Sequence, residues 1–223
     1  MRTGKILGIV ACLALTGVSS VFFAEEYQAF RLSRETDRGQ YERLALGEAS
    51  IAGSVRGRYA VLRACDEGQR SLFAEVQSTP SRRMVAAECL SLARQALAQA
   101  PTLSLAHYVV ARSHLHLGDF DAFNRALGLS QQMGATEGWI AQRRFDLAVG
   151  ANEHLDALGR RTLGRDTGLL LRSIDGVDLV ADRYVQFETA REAILREAEN
   201  LSAGDQRRFL SRVRDAQQWL GGE

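Results

Sequence analysis

Lysine is almost missing from this 223-residue chain: Lys5 is the only one among 28 basic residues, the rest being arginine. The bases face 27 acidic residues, leaving a formal net charge of +1, so no one-sided field exists to draw in nucleic acid, and no nucleic-acid partner is expected. Proline stands only at Pro80 and Pro101. With long Ala/Leu/Arg/Glu-rich stretches, that scarcity argues against a sandwich or barrel and for helices throughout. Cysteine is limited to Cys12, Cys65 and Cys89, with no Cys-x-x-Cys and no suitably spaced Cys/His set, so a redox motif or zinc site lacks its ligands. Gly-x-Ser-x-Gly, His-Glu-x-x-His, a Walker loop and a Rossmann glycine fingerprint are also missing. No catalytic residue, metal or cofactor is therefore assigned, and the chain is not expected to be an enzyme. What remains, 46% apolar and 25% charged residues, is the composition of a folded core.

Residues 6–24, from Ile6 to Ala24, carry no charge and span roughly 28 Å as a helix, close to the thickness of a hydrocarbon layer. Arg2 and Lys5 precede the run and Glu25 and Glu26 follow it, so the start should stay in the cytoplasm and the rest be exported. The segment reads as a single inner-membrane anchor; a signal peptide cut after Ser20 is the other reading. Cys12 sits inside the run and reads as a thiol facing lipid or helix.

The exported part divides into a helical stalk over 25–50, a helical domain over 51–150 and a helical extension over 151–223. The stalk carries Tyr27, Phe30, Leu32, Tyr41, Leu44 and Leu46 as a narrow stripe, and the Gly47–Gly57 stretch after it is the hinge candidate. A helix over 55–76 and its partner over 81–100 form a hairpin turning near residues 77 and 78. Cys65 and Cys89 lie equally far from that turn, both on inward stripes. In an oxidising periplasm they can close a disulfide; two separate buried thiols are the alternative. Helices follow over 103–117, 120–133 and from 136, with Gly118 as a C-cap and Asp119 as an N-cap between the first two. Past residue 152 the helical signal weakens, and Gly159, Gly164 and Gly168 interrupt it.

Residues 104–123, Ser104-Leu-Ala-His-Tyr-Val-Val-Ala-Arg-Ser-His-Leu-His-Leu-Gly-Asp-Phe-Asp-Ala-Phe, resemble the first helix, turn and second-helix start of a tetratricopeptide repeat. Pro101 stands where the preceding repeat closes, Ala96 matches its late alanine, Ala111 takes the small crossing position, and Gly118-Asp119-Phe120 matches the turn. The pattern departs at His107, His114 and Ala122, and covers about residues 82–148. More loosely, the paired cysteines, Ala122-Phe-Asn-Arg-Ala-Leu, Glu137-Gly138-Trp139 and Arg143-Arg144 resemble short tetratricopeptide-like proteins of proteobacterial envelopes, a group associated with exopolysaccharide or other surface-glycan production. The resemblance implies antiparallel helical hairpins stacked as an array, behind one N-terminal transmembrane helix.

The residues that could carry chemistry each have a plainer role in packing. His114 and His116 point about 200° apart on a helix, and His107 lies two turns away, so the three do not chelate; His154 stands alone in sequence. Arg143, Arg144, Arg160, Arg161 and Arg165 suit carboxylate binding, but Asp146, Asp156 and Asp166 can pair with them along the helices as a solvated face. Trp139 and the Phe120/Phe123 stripe fit a core better than a sugar platform. Glu88 or Glu137 are lone acids without a partner carboxylate.

The sequence thus reads as a membrane-anchored periplasmic scaffold or adaptor. It would bind protein partners of the cell envelope, by resemblance the surface-polysaccharide assembly machinery, through a face carrying His107, Arg112, Asn124 and Arg143. A periplasmic helical enzyme acting on glycan strands is the alternative; it requires a carboxylate of raised pKa at the base of a long cleft.

Overall fold

The computed structural model describes the backbone of residues 2–220 and the side chains of residues 13 and 15–219. Within the apolar segment expected as an anchor, the side chains of residues 6–12 and 14, Cys12 included, lie outside that description. Among the described residues no helix is long and apolar enough to cross a membrane. The described chain is all-α: twelve helices joined by short turns, packed antiparallel, with single 3-10 turns at Asn152–His154 and Glu188–Ala190. It divides into two compact units, Met1–Gln99 and Ala100–Glu223.

The first unit holds α1 (Arg2–Arg34), α2 (Asp37–Ala45), α3 (Val55–Arg70), the single turn α4 (Leu72–Glu75) and α5 (Thr79–Gln99). Thr36 and Ser54 open α2 and α3 by accepting from Gly39 N and Gly57 N, as N-cap hydroxyls do. Residues 25–50 are built into this unit: Ala29, Leu32, Tyr41 and Leu44 are buried, whereas Tyr27, Phe30 and Leu46 stay exposed. α1 and α2 lie on α3, and the Tyr41 hydroxyl reaches Ser81 Oγ of α5 at 2.9 Å. The Gly47–Gly57 stretch is pinned rather than hinged. Ser54 donates through both its N (2.8 Å) and Oγ (2.7 Å) to the Glu26 carboxylate, and Ile51 and Ala52 are buried.

The helix expected to run through residue 76 stops at Arg70. Ser71 is extended, and its hydroxyl caps α4 by accepting from Ala74 N at 3.2 Å. The bend turns Leu72 and Val76 outward, while Phe73 meets Tyr41 edge-on at 5.5 Å. Val55, also expected inward, is exposed on the first turn of α3. The α3–α5 pairing itself stands as expected. Cys65 and Cys89 are bonded, with Cα atoms 5.6 Å apart and both side chains fully buried.

The second unit starts with two hairpins, α6 (Ser104–Leu117) with α7 (Phe120–Met133) and α8 (Gly138–Gly150) with α9 (Ala157–Leu171). The second lies on the first through α7–α9 and α6–α8 packing. Gly118 ends α6 with φ 83°, the left-handed conformation that glycine reaches without strain, and Asp119 opens α7 by accepting from Ala122 N. The helices α10 (Ile174–Gln186) and α11 (Arg191–Glu199) pack on α9, and α12 (Ala203–Leu220) packs on α10, with Val177, Val180, Ile194 and Phe209 buried among them.

The three glycines that weaken the helical signal past residue 152 do not break α9. Gly159 is required by crowding, since a Cβ there would run into the Asn124 side chain and Leu155.

The disulfide spans 24 residues. In the chain-entropy model a loop of that size contributes about 3 kcal/mol. Reduction, or Cys65→Ala with Cys89→Ala, should therefore destabilise the full chain in detergent by that amount, read from denaturant unfolding followed by far-ultraviolet circular dichroism. An unchanged unfolding curve would mean that the α3–α5 core holds without its crosslink.

Candidate functional site

The face expected to bind partners is built from α6, α7 and α8, and its four residues have distinct surroundings. His107, half-buried on the first turns of α6, donates from Nε2 to the Pro101 carbonyl at 2.9 Å and so closes the turn leading into the helix. Arg112, further along α6, is buried; its Nε and Nη2 donate to the Tyr108 hydroxyl at 3.1 and 2.6 Å, and its guanidinium lies over the same ring. Asn124 is buried on α7. Its Nδ2 donates to the carbonyls of Phe120 (2.8 Å) and His154 (2.9 Å), and its Oδ1 accepts from Asp156 N at 3.2 Å. That amide ties α7 to the start of α9. Arg143, on α8, lies over the Trp139 ring at 5.7 Å, while Trp139 Nε1 donates to Glu137 at 3.1 Å. The structure thus gives Arg112 and Asn124 internal partners and leaves His107 and Arg143 partly open to solvent.

His114 is buried with Nδ1 3.4 Å from Asp119. His154 is not alone: its ring stacks on Phe120 at 3.8 Å and 7°. Phe123 is fully buried. Among the described residues no three His, Cys, Asp or Glu side chains could together hold a metal ion.

The largest departure from the sequence reading concerns the arginine cluster. Arg144 is not on a solvated face; its side chain is fully buried, and that of Asp166 is almost so. From α8 the guanidinium forks onto the α9 carboxylate, Nε to Oδ2 at 2.8 Å and Nη2 to Oδ1 at 2.6 Å. Nη1 and Nη2 also donate to the carbonyls of Ser130 and Gly134 at the end of α7, both at 3.2 Å. Ser130 Oγ continues the network to the Ser104 carbonyl at 2.9 Å. Burial pushes the Asp166 carboxyl above the ordinary carboxylate range, with the hydrogen bond and charge of Arg144 pulling it back. The remaining aspartates also differ from the expectation: Asp146 pairs with Arg183 of α10, and Asp156 caps α9 by accepting from Leu158 N and Gly159 N. Nothing in the spacing along one helix reveals pairs that form between helices.

Two acids bear on the enzyme alternative. Glu137 accepts from Trp139, and Glu88 is part-buried with its carboxyl raised by burial. Three surface grooves have other linings. One of about 700 Å³ runs between α1 and α3, past Arg34, Arg56, Tyr59 and Arg63. One of about 400 Å³ lies between α10 and α12, past Asp178, Asp182, Arg212 and Trp219. A shallow apolar one of about 150 Å³ lies between α11 and α12, beside Leu195 and Leu210.

No protein-family model, no curated protein and no solved structure matches this chain. The likeness of residues 104–123 to a tetratricopeptide repeat accordingly rests on those residues alone.

Removing one partner of a buried ion pair strands the other. Asp166→Ala and Arg144→Met should each cost about 3–5 kcal/mol, and Arg144→Met with Asp166→Leu much less than the two losses combined. Urea unfolding followed by fluorescence of Trp139, in the same unit, measures the cycle; simple additivity would show the two groups uncoupled. Gly159→Ala, which favours a helix elsewhere, should here destabilise by about 1–3 kcal/mol in the same assay.

Proposed function

We propose that this chain is a scaffold or adaptor of the bacterial cell envelope, anchored once in the inner membrane by residues 6–24, with its helical units in the periplasm. It works by binding protein partners and not by covalent chemistry. The observation that carries the reading is the apolar sleeve of α1: Leu13, Leu15, Val18, Val21, Phe22 and Phe23 are all more than half exposed on the folded chain. Such an exposed apolar surface on a helix, broken only by the small hydroxyls of Thr16, Ser19 and Ser20 among the described side chains, favours an apolar surrounding, and a bilayer supplies it. Arg2 and Lys5 ahead of the run and Glu25 and Glu26 behind it favour export of the remainder. The Cys65–Cys89 disulfide supports the same address, because such bonds persist in oxidising compartments.

Two stacked hairpins in the second unit offer a broad helical surface, the kind on which array proteins hold peptides or helices of their partners. His107 and the Arg143–Trp139 pair, both partly accessible, are the contact candidates there. A role in assembly of surface polysaccharide follows from the envelope-protein resemblance and from no residue described above.

Fusions at the carboxyl end test the address: alkaline phosphatase should be active, cytoplasmic fluorescence absent, and the chain should resist alkaline extraction from membranes. Photocrosslinkers at positions 107 and 143 should capture a defined envelope protein in cells, and Asp166→Ala, which disrupts the second unit, should abolish the adduct. Hydrolysis of a glycan by the purified chain, with no adduct formed, would replace this reading with the enzymatic one.

A further inference from the structure

The groove between α1 and α3 has a charge and a position that together specify a ligand. Its lining brings three arginines, Arg34, Arg56 and Arg63, against one acid, Glu67, with Tyr59 between them. One wall is formed by α1 itself, the helix whose apolar run ends at Ala24. Two contacts fix the height of α3 on that helix. Ser54, immediately before α3, is held by Glu26, and Gly53 approaches the Phe22 ring so closely that a Cβ would lie 3.1 Å from it. Arg56 therefore emerges close to the end of the apolar run. Arg34 starts further out, but its side chain folds back along the helix, as helical side chains do, and its guanidinium lies over Phe30 at 5.4 Å. Phe30 is six residues past Ala24, about 9 Å along the axis, against a headgroup layer of about 5–8 Å. The Arg34 guanidinium therefore stands about at the outer edge of that layer, and Arg56 below it. Phe23 and Tyr27, stacked at 6.1 Å, add aromatic rings at the level where such rings favour a bilayer interface.

We propose that this groove binds the phosphate of an anionic phospholipid in the leaflet where α1 leaves the membrane, Arg34 and Arg56 donating to its oxygens. The guanidinium fork suits that group better than a lysine would, in a chain whose exported part has no lysine. The proposal rests on the reading of residues 6–24 as an anchor, and the test separates the two. The groove then orients the first unit on the membrane surface, so that the unit does not swing about its anchor.

Full-length chain in detergent, offered equal amounts of phosphatidylglycerol and phosphatidylcholine, should retain the anionic lipid preferentially by native mass spectrometry. Arg34→Gln and Arg56→Gln should each reduce that preference about fivefold, the usual effect of one basic residue at an anionic surface. Arg160→Gln with Arg161→Gln, on α9 of the second unit, should leave it unchanged. A preference equal in wild type and groove variants, with the Cys65–Cys89 bond and helicity intact, overturns the proposal. So does displacement of the lipid by free glycerol phosphate at equal concentration, which would make the groove a site for a soluble anion. Alkaline extraction of membranes carrying the wild-type chain tests the anchor independently: release sinks the anchor and the lipid site together, whereas retention with unaltered lipid preference in the variants sinks only the lipid site.

Discussion

A guanidinium with no access to water must have its charge met and its N–H groups taken, and in the second unit Arg144 imposes that demand on three elements at once. Its four hydrogen bonds go to the α9 carboxylate of Asp166 and to two carbonyls at the end of α7. Removing such an ion from water costs several kcal/mol, which is offset only where the pairing is bidentate and the remaining donors are satisfied. A slip of α8 by one residue would turn Arg144 by about 100° and separate all four bonds together. The ion pair therefore fixes register more than it adds stability, and the Ser130 and Gly134 carbonyls at the end of α7, which also accept from Gly134 N and Glu137 N, take Arg144 as a second donor. The closing turn after α7 and the α8–α9 hairpin are thus one arrangement.

Much of the second unit is legible in the sequence because its helix ends are written in local chemistry. Gly118 with Asp119, Pro101, and Ser202 accepting from Asp205 N each act on backbone groups a few residues away, so their effect needs no tertiary context. Arg144 escapes that reading because charge suggests exposure. Its position nevertheless carries a signal: Arg144 lies one turn from Ile140 and one turn from Ala148 and adjoins Phe145, all three buried, whereas Arg143 is rotated off that stripe. Asp166 sits likewise between Leu163 and Leu170 on the buried face of α9. Two opposite charges, each in the middle of an apolar stripe on one arm of the same hairpin, meet across it much as Cys65 and Cys89 do. Only their polarity hides them.

The residues expected on a binding face show the complementary difficulty. A polar side chain on a helix can serve solvent, a ligand or a neighbouring backbone, and periodicity cannot separate the last two. Asn124 meets three backbone groups, two of them some 30 residues away in the turn before α9. That amide also explains Gly159, which propensity alone scores as a weak point in α9: the space of its missing Cβ is filled by Asn124. The two residues form a single feature that becomes visible only once α7 and α9 are in contact. Ser71 is a simpler case, a cap written in sequence but placed inside a stripe that continues on either side, so that the stripe conceals the bend.

The first unit makes its entry helix part of its core. Ala29 and Leu32 of α1 are buried against the helices that follow, and Glu26 holds the loop that starts α3, so one side of α3 stays uncovered until α1 is in place. A leader cut after Ser20 would leave those contacts whole, because every α1 residue in them lies beyond the cut. Packing inside the unit therefore does not distinguish an anchor from a leader, and the two differ in the surface they leave. After cleavage, Val21, Phe22 and Phe23 would form the exposed end of a helix with little apolar surface to meet, beside a groove rich in arginine. Under the proposed anchor, the same three side chains would reach the edge of the bilayer and the arginines would stand near the height of its phosphates. The proposed anchor would give both surfaces a neighbour, hydrocarbon for the apolar side chains and lipid phosphate for the arginines.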